Sequence, residues 1–185
     1  TNPIPTIPTT PAVRMTLIIS PTTVVDNWGL ELTKFLTRKE LKTLRPCCVS
    51  STSHKTKLSR IIELRKWSKK GGIIIMGYEM TRNLINGTDQ LSKEARLYLC
   101  APGPQLLVLD EGHRIRDPKS QLFAALTQIS TSNRIILSGS PMQNHLHEYY
   151  VMVNYVRPGY LGTLKEFKTR FQEPIESGEL FCTLF

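Results

Sequence analysis

Gln105-Leu-Leu-Val-Leu-Asp-Glu-Gly-His113 holds four consecutive apolar residues, Leu106 to Leu109, followed at once by two carboxylates, Asp110 and Glu111. A short run that is apolar at every position reads as a strand buried on both faces, the kind that parallel sheets use. In open α/β sheets ligands bind beyond the carboxyl ends of the strands, so acids placed there stand where a ligand would lie. One of them suits Mg²⁺, which takes carboxylate, water and phosphate oxygens. The next points another way and suits orienting or deprotonating a water. The same pair would also serve merely to start a turn or cap a helix. This stretch by itself does not separate those readings.

Arg134-Ile-Ile-Leu-Ser-Gly-Ser-Pro-Met-Gln-Asn144 repeats the design: a short apolar strand, then small hydroxyl and glycine residues, then a proline. Asp110-Glu-Gly-His113 after one strand and Ser138-Gly-Ser-Pro-Met-Gln-Asn144 after the other resemble motifs II and III of the superfamily-two helicase-like ATPases. Gln143-Asn144 after the proline resembles the SWI/SNF-type chromatin-remodelling branch. The glycine of Asp-Glu-Gly-His and the run Ile75-Met-Gly-Tyr-Glu-Met-Thr-Arg-Asn-Leu84 are similar to the ATRX-like subgroup. So is Leu161-Gly-Thr-Leu-Lys-Glu-Phe-Lys-Thr-Arg-Phe171, with Pro174-Ile175 and Gly178 after it. Recombination-repair translocases remain the nearest alternative. The resemblance runs from about Met15 to Gly178, with its motifs in the family's order.

This resemblance implies a RecA-like three-layer α/β/α fold around a mainly parallel sheet. It implies ATP and Mg²⁺ as cofactors, with Asp110 holding the magnesium ion directly or through water and Glu111 orienting the attacking water. Gly112, His113, Ser138, Gly139, Ser140, Gln143 and Asn144 would carry the nucleotide state towards the DNA side and a second helicase lobe. The run from Pro21 through Thr22 to Asn27 resembles motif Ia, and with Gly77 and Tyr78 it would lie along the nucleic-acid path. The implied partners are double-stranded DNA in chromatin, the second lobe of the parent chain and chromatin proteins, in the nucleus and away from membranes. Taken singly, His113 also suits a half-buried imidazole, Gly77 a plain strand-to-helix turn, and the Trp28 ring ordinary core packing.

One expected element does not occur in these 185 residues: a glycine-rich turn ending in Gly-Lys-Ser/Thr, whose backbone N–H groups and lysine cradle phosphates. The family places it upstream of the Met15 strand, where the Pro/Thr tract Thr1 to Pro11 stands. The expectation is therefore a partial first lobe at 14–157, without its first strand and phosphate-binding loop. A disordered Pro/Thr-rich lead at 1–13 precedes it and a helical extension at 158–185 follows. Such a segment is expected to hydrolyse no ATP by itself. The alternative is a degenerate, non-catalytic lobe that binds DNA or a protein.

Composition fits an ordinary globular domain, at 40% hydrophobic and 21% charged residues, and a chain of 185 residues can bury a sizeable core as one domain. The net charge of +9 favours polyanions, nucleic acid ahead of anionic membrane. No apolar run is long enough to span a bilayer, and no signal-peptide pattern opens the chain. The four cysteines form no C-x-x-C pair and have no histidine at zinc spacing. Cys47 and Cys48 fall on alternate faces of a strand and would not share a metal, so reduced intracellular thiols are expected.

Strands are expected at Met15–Ser20, within Pro46–Ser51, at Gly72–Gly77, Leu106–Leu109 and Arg134–Leu137. A helix capped by Thr22 or Thr23 should bury Val24, Val25, Trp28, Leu32, Phe35 and Leu36. His54 to Lys70 reads as a basic helix with Leu58, Ile61, Ile62 and Trp67 inward. Asp89 to Leu99 reads as another, stopped by Ala101-Pro-Gly-Pro104. Asp117 before Pro118 suits a helix start, with Leu122, Ala125, Leu126 and Ile129 buried behind it. Further helices are expected over His145 to Val156 and Thr163 to Phe171. Strand and helix alternate, which calls for a parallel sheet.

Overall fold

The computed structural model describes residues 15–139 and 146–177. The Pro/Thr lead, Ser140, Gln143, Asn144 and Gly178 lie outside the described residues.

Five strands, β1 (Met15–Ser20), β2 (Cys47–Val49), β3 (Gly72–Gly77), β4 (Leu106–Asp110) and β5 (Arg134–Leu137), form one sheet in the order β2-β3-β1-β4-β5. Every pairing is parallel. The most continuously apolar strands take the middle, because only a strand buried on both faces repays an all-apolar run. Leu17, Ile18 and Ile19 of β1 are buried, as are Ile74, Ile75 and Met76 of β3.

Successive residues point to opposite faces. Leu17, Ile74 and Leu107 join a large cluster with α3 (Lys57–Lys70), α4 (Tyr78–Asn86), α5 (Gln90–Leu99), α6 (Gln121–Leu126) and α7 (Leu146–Val156). Ile18, Ile75 and Val108 face the other way and meet Val25 of α1 (Val25–Phe35), with Trp28 and Leu32 packed around them; α2 (Arg38–Leu44), opened by a Thr37 capping box, leads from α1 to β2. The chain leaves β1 towards β2 and β3, then returns past β1 to β4 and moves outward to β5. The direction reverses between β1 and β4, and such a switch point opens a crevice at the carboxyl ends of the two strands.

Several helices differ in detail from the pattern reading. The first turn after Pro21 is a 3₁₀ turn, Thr22–Val24, with no side-chain cap, because the Thr22 hydroxyl donates instead to Glu79 Oε2 at 3.1 Å. Phe35 is 82% exposed, since the end of α1 runs past the small cluster it packs on. In α3 the buried positions are Ile61, Leu64 and Trp67, while Leu58 and Ile62 stay exposed. The Thr56 hydroxyl caps that helix and the Trp67 indole donates to the Gly72 carbonyl at 2.9 Å, which together set its rotation. Asp117 accepts from the Lys119 N–H in a turn, and Ser120 rather than Asp117 caps α6. Past α7, Thr163 closes a capping box on a short helix, Leu164–Phe167, which continues through a π-turn, Lys168–Gln172, into Glu173–Ser177. Among the described residues no helix is long and apolar enough to cross a membrane.

Candidate functional site

Asp110 closes β4 and pairs in register with Leu137, so Ser138 is the next residue on the neighbouring strand. The acid pair and the hydroxyl-glycine turn therefore leave the same rim side by side. At Asp110, Oδ2 accepts a hydrogen bond from the Trp28 indole N–H at 2.8 Å, and the backbone carbonyl accepts one from the Tyr78 hydroxyl at 2.8 Å. Val24, Asn27, Trp28, Glu31 and Asp110 line an open cavity of about 230 Å³ at the switch point between β1 and β4.

Glu111 sits at φ 52°, ψ 50°, in the left-handed region. Among the described residues only Arg45 is another non-glycine at positive φ. Such a conformation costs on the order of 1–3 kcal/mol and persists only where surrounding contacts fix it. There the Glu111 side chain is 45% exposed. His113 Nδ1 lies 3.3 Å from Glu111 Oε2, near enough to pair electrostatically. Gly112 is buried, and a Cβ there would stand 2.2 Å from Ile136 Cγ2 on β5. Glycine lets the turn after β4 lie flat against β5.

Behind the acids a second set of contacts ties three strand ends together. Arg114 stacks over the Tyr78 ring, 5.2 Å from its centroid, and pairs with Glu79 Oε1 at 3.0 Å. Glu79 Oε2 takes the Thr22 hydroxyl. Burial works against the Glu79 charge, but its own backbone N–H, Arg114 and Thr22 together hold the carboxyl below its ordinary value. Burial, then the neighbouring Asp110 charge, pushes the Tyr78 phenol well up, so it stays a neutral donor. Gly77 and Thr22 are in close contact, and a Cβ on Gly77 would lie 2.9 Å from the Thr22 hydroxyl. Further round, Arg116 reaches Glu148 of α7 at 3.7 Å.

Ser138 lines a cavity of about 420 Å³ with Ile136, Tyr149, Met152 and Tyr160, beside the outer edge of β5. Ile135 and Leu137 are 45% and 41% exposed there. A Cβ on Gly139 would meet nothing within 4 Å.

The profile described as SNF2-related domain matches residues 7–183. The chain belongs to the SNF2-related family. It is 40% identical over 171 residues to the transcriptional regulator ATRX homolog of Drosophila melanogaster, covering 88% of this chain and 13% of that protein. It is 41% identical over 169 residues to the protein CHROMATIN REMODELING 20 of Arabidopsis thaliana, covering 90% and 11%. Human transcriptional regulator ATRX is 37% identical over 168 residues, covering 88% and 7%. This SNF2-related chain thus spans about an eighth or less of these curated relatives. Among solved structures it resembles a Sulfolobus solfataricus SWI2/SNF2 ATPase core in complex with dsDNA, at a TM-score of 0.57 and 25% identity. That likeness covers 91% of this chain and 30% of the archaeal one. The ATRX-like resemblance and the RecA-like α/β sandwich expected from the motifs are both borne out.

The residues expected along a nucleic-acid path divide. Pro21, Thr22 and Gly77 share one stretch of rim, at the ends of β1 and β3. Asn27 instead lines the cavity beside Asp110. Tyr78 is 0% exposed and bonded to the Asp110 carbonyl, so its ring is part of the support under the acids. Trp28 is partly buried against the smaller core cluster, and its N–H also grips Asp110. That grip, together with Arg114 and Glu79, was not visible in the sequence. No local pattern says which strand end a tryptophan on α1 will face.

Proposed function

We propose that this chain is part of the motor of an ATP-dependent double-stranded-DNA translocase that remodels chromatin in the nucleus. The reading is carried by one observation: Asp110-Glu111 and Ser138-Gly139 leave neighbouring strand ends on one rim, with Glu111 held in the left-handed region. ATP with Mg²⁺ supplies the phosphoryl chemistry when bound. The fit to the residues present is good. Asp110 offers a hard carboxylate at a strand's carboxyl end, and with Oδ2 engaged by Trp28, Oδ1 is the oxygen for magnesium or its water.

In this reading Glu111, held in the left-handed region, orients the attacking water, and the nearby His113 senses its charge. Gly112 keeps the turn against β5, so a shift at the acids is passed to Ser138, Gly139 and the residues beyond them, Ser140, Gln143 and Asn144. Pro21, Thr22, Asn27 and Gly77 would line or support the DNA path; Thr22 is linked to the acids through Glu79, Arg114 and Tyr78. The second helicase lobe and chromatin proteins are the partners this reading requires. DNA would be held through its phosphates without base reading, so affinity should fall steeply with salt.

The test is Glu111→Gln in the longer protein. ATP turnover should fall on the order of 10²- to 10⁴-fold while nucleotide binding is retained. Preserved turnover would remove Glu111 from this role and favour a non-catalytic, DNA- or protein-binding lobe. The 185 residues alone, without Gly-Lys-Ser/Thr, should release no phosphate from ATP with or without DNA.

A further inference from the structure

We propose that Cys47, His54 and Glu63 form a binding site for zinc or a similar thiophilic divalent cation, which fastens the β2 edge of the sheet to α3. One donor atom from each, a thiol sulfur, an imidazole nitrogen and a carboxylate oxygen, lies within 4.8 Å of the others. Among the described residues no other group of three or more His, Cys, Asp or Glu does so. The three residues come from three places: the first residue of β2, the loop after it and the second turn of α3.

The donor set selects the metal. Sulfur, nitrogen and one carboxylate oxygen are zinc ligands, whereas Mg²⁺ and Ca²⁺ take oxygens alone. Bonds of about 2.0–2.3 Å to a tetrahedral ion put ligand atoms roughly 3.5 Å apart, so the observed triangle needs shifts of less than about 1 Å to close. Three protein ligands leave the fourth position to water.

Each ligand is already held by its surroundings, as supporting contacts hold the ligands of metal sites. The His54 N–H donates to the Ser50 carbonyl at 2.9 Å, and its own carbonyl accepts from Arg60 Nε at 2.9 Å. His54 Nδ1 shares a hydrogen bond with the Ser53 hydroxyl at 2.8 Å. Glu63 Oε1 holds the Lys66 ammonium at 2.6 Å, while Oε2 lies 3.9 Å from Cys47 Sγ. Cys47 is fixed by its register with Ile74. Lys66, Arg45 and Lys70 stand around the adjoining cavity and oppose a cation, so the site is of moderate rather than extreme affinity.

The site has a structural use. Among the described residues β2 has three residues and pairs only with β3, at the edge of the sheet, so one short ladder and packing retain it. A metal bridging β2, its loop and α3 would close that edge. Two strands, β3 and β1, separate it from β4 and Asp110, so it is independent of the nucleotide site.

The full-length chain, freed of metal, is titrated with Co²⁺ and then with Zn²⁺. A single equivalent of Co²⁺ should bind with a thiolate-to-cobalt charge-transfer band that Zn²⁺ displaces, and Zn²⁺ should raise Tm. Cys47→Ala should abolish the band, while His54→Ala and Glu63→Gln, both partly exposed, should each weaken Co²⁺ binding on the order of 10-fold or more. Absence of the band in the unmodified chain overturns the proposal, and that result needs no variant to fold. So does loss of the band on replacing Cys48, Cys100 or Cys182, or unchanged binding by both His54→Ala and Glu63→Gln with their circular dichroism intact.

Discussion

The two faces of the sheet are built unequally. One carries five helices and a continuous cluster from Val49 to Tyr155. The other carries α1, whose Val25 is buried against three sheet residues, Ile18, Ile75 and Val108. Neighbouring residues of a single strand thus enter different environments, as Ile74 and Ile75 do, although both are fully buried. The deep face supplies most of the hydrophobic stabilisation. The shallow face holds α1 loosely enough that its inner side can present a polar group, the Trp28 indole, to the end of β4. Elements with few buried contacts are where opening is least costly, and motion at functional sites is drawn from them.

Four measurements separate the two faces. The largest effect is expected from Ile74→Ala, at about 4–5 kcal/mol of unfolding free energy, against about 2–3 kcal/mol for Ile75→Ala, where a thin layer can collapse onto the gap. Equal shifts of the urea midpoint would show the faces to be energetically alike. Gly112→Ala should cost about 1–3 kcal/mol by forcing a methyl into Ile136, and most of that cost should vanish in an Ile136→Ala background. Trp28→Phe keeps the ring packing but removes the donor to Asp110, so about 1 kcal/mol is expected. In the longer protein the same change should weaken magnesium-dependent nucleotide binding more than it lowers Tm. The smallest effect concerns Glu79, whose carboxyl is held below its ordinary value in the folded chain. Its contribution is present above the ordinary carboxylate range and lost as pH falls through the lowered folded value. Its side chain is 48% exposed, so the loss is modest; urea midpoints taken into acid should fall less for Glu79→Gln.

Much of the sheet was legible because its strands are short, apolar at nearly every position and bounded by Pro, Gly or acids. Met15–Ser20 and Gly72–Gly77 fall at the expected residues. Helix faces were less legible. Leu58, Ile62 and Phe35 obey helical periodicity yet are exposed, because hydrophobic spacing gives the period of a face and contact with the sheet gives its rotation. Asp117-Pro118 has the chemistry of a helix start, but the turn it makes ends at Ser120, which caps α6. At the candidate site the acid pair and the Ser-Gly turn were readable as strand ends. The roles of Tyr78, Trp28, Arg114 and Glu79 were not, since each depends on residues 30 or more positions away, as Trp28 and Asp110 are at a separation of 82. The Cys47-His54-Glu63 group matches no zinc-ligand spacing although its members are near in sequence, because only the packing of β2, its loop and α3 brings their donor atoms together.

The order of residues alone determined that the strands are parallel, that Asp110 and Ser138 each end one, and that the family is SNF2-related. Those properties follow from local composition and motif chemistry. Which strands are neighbours, where the crevice opens, which side chains hold Asp110 and where Glu111 points were decided only by the tertiary structure. Strand order and side-chain contacts are settled by packing between distant segments, and that free energy is not stored in any one of them.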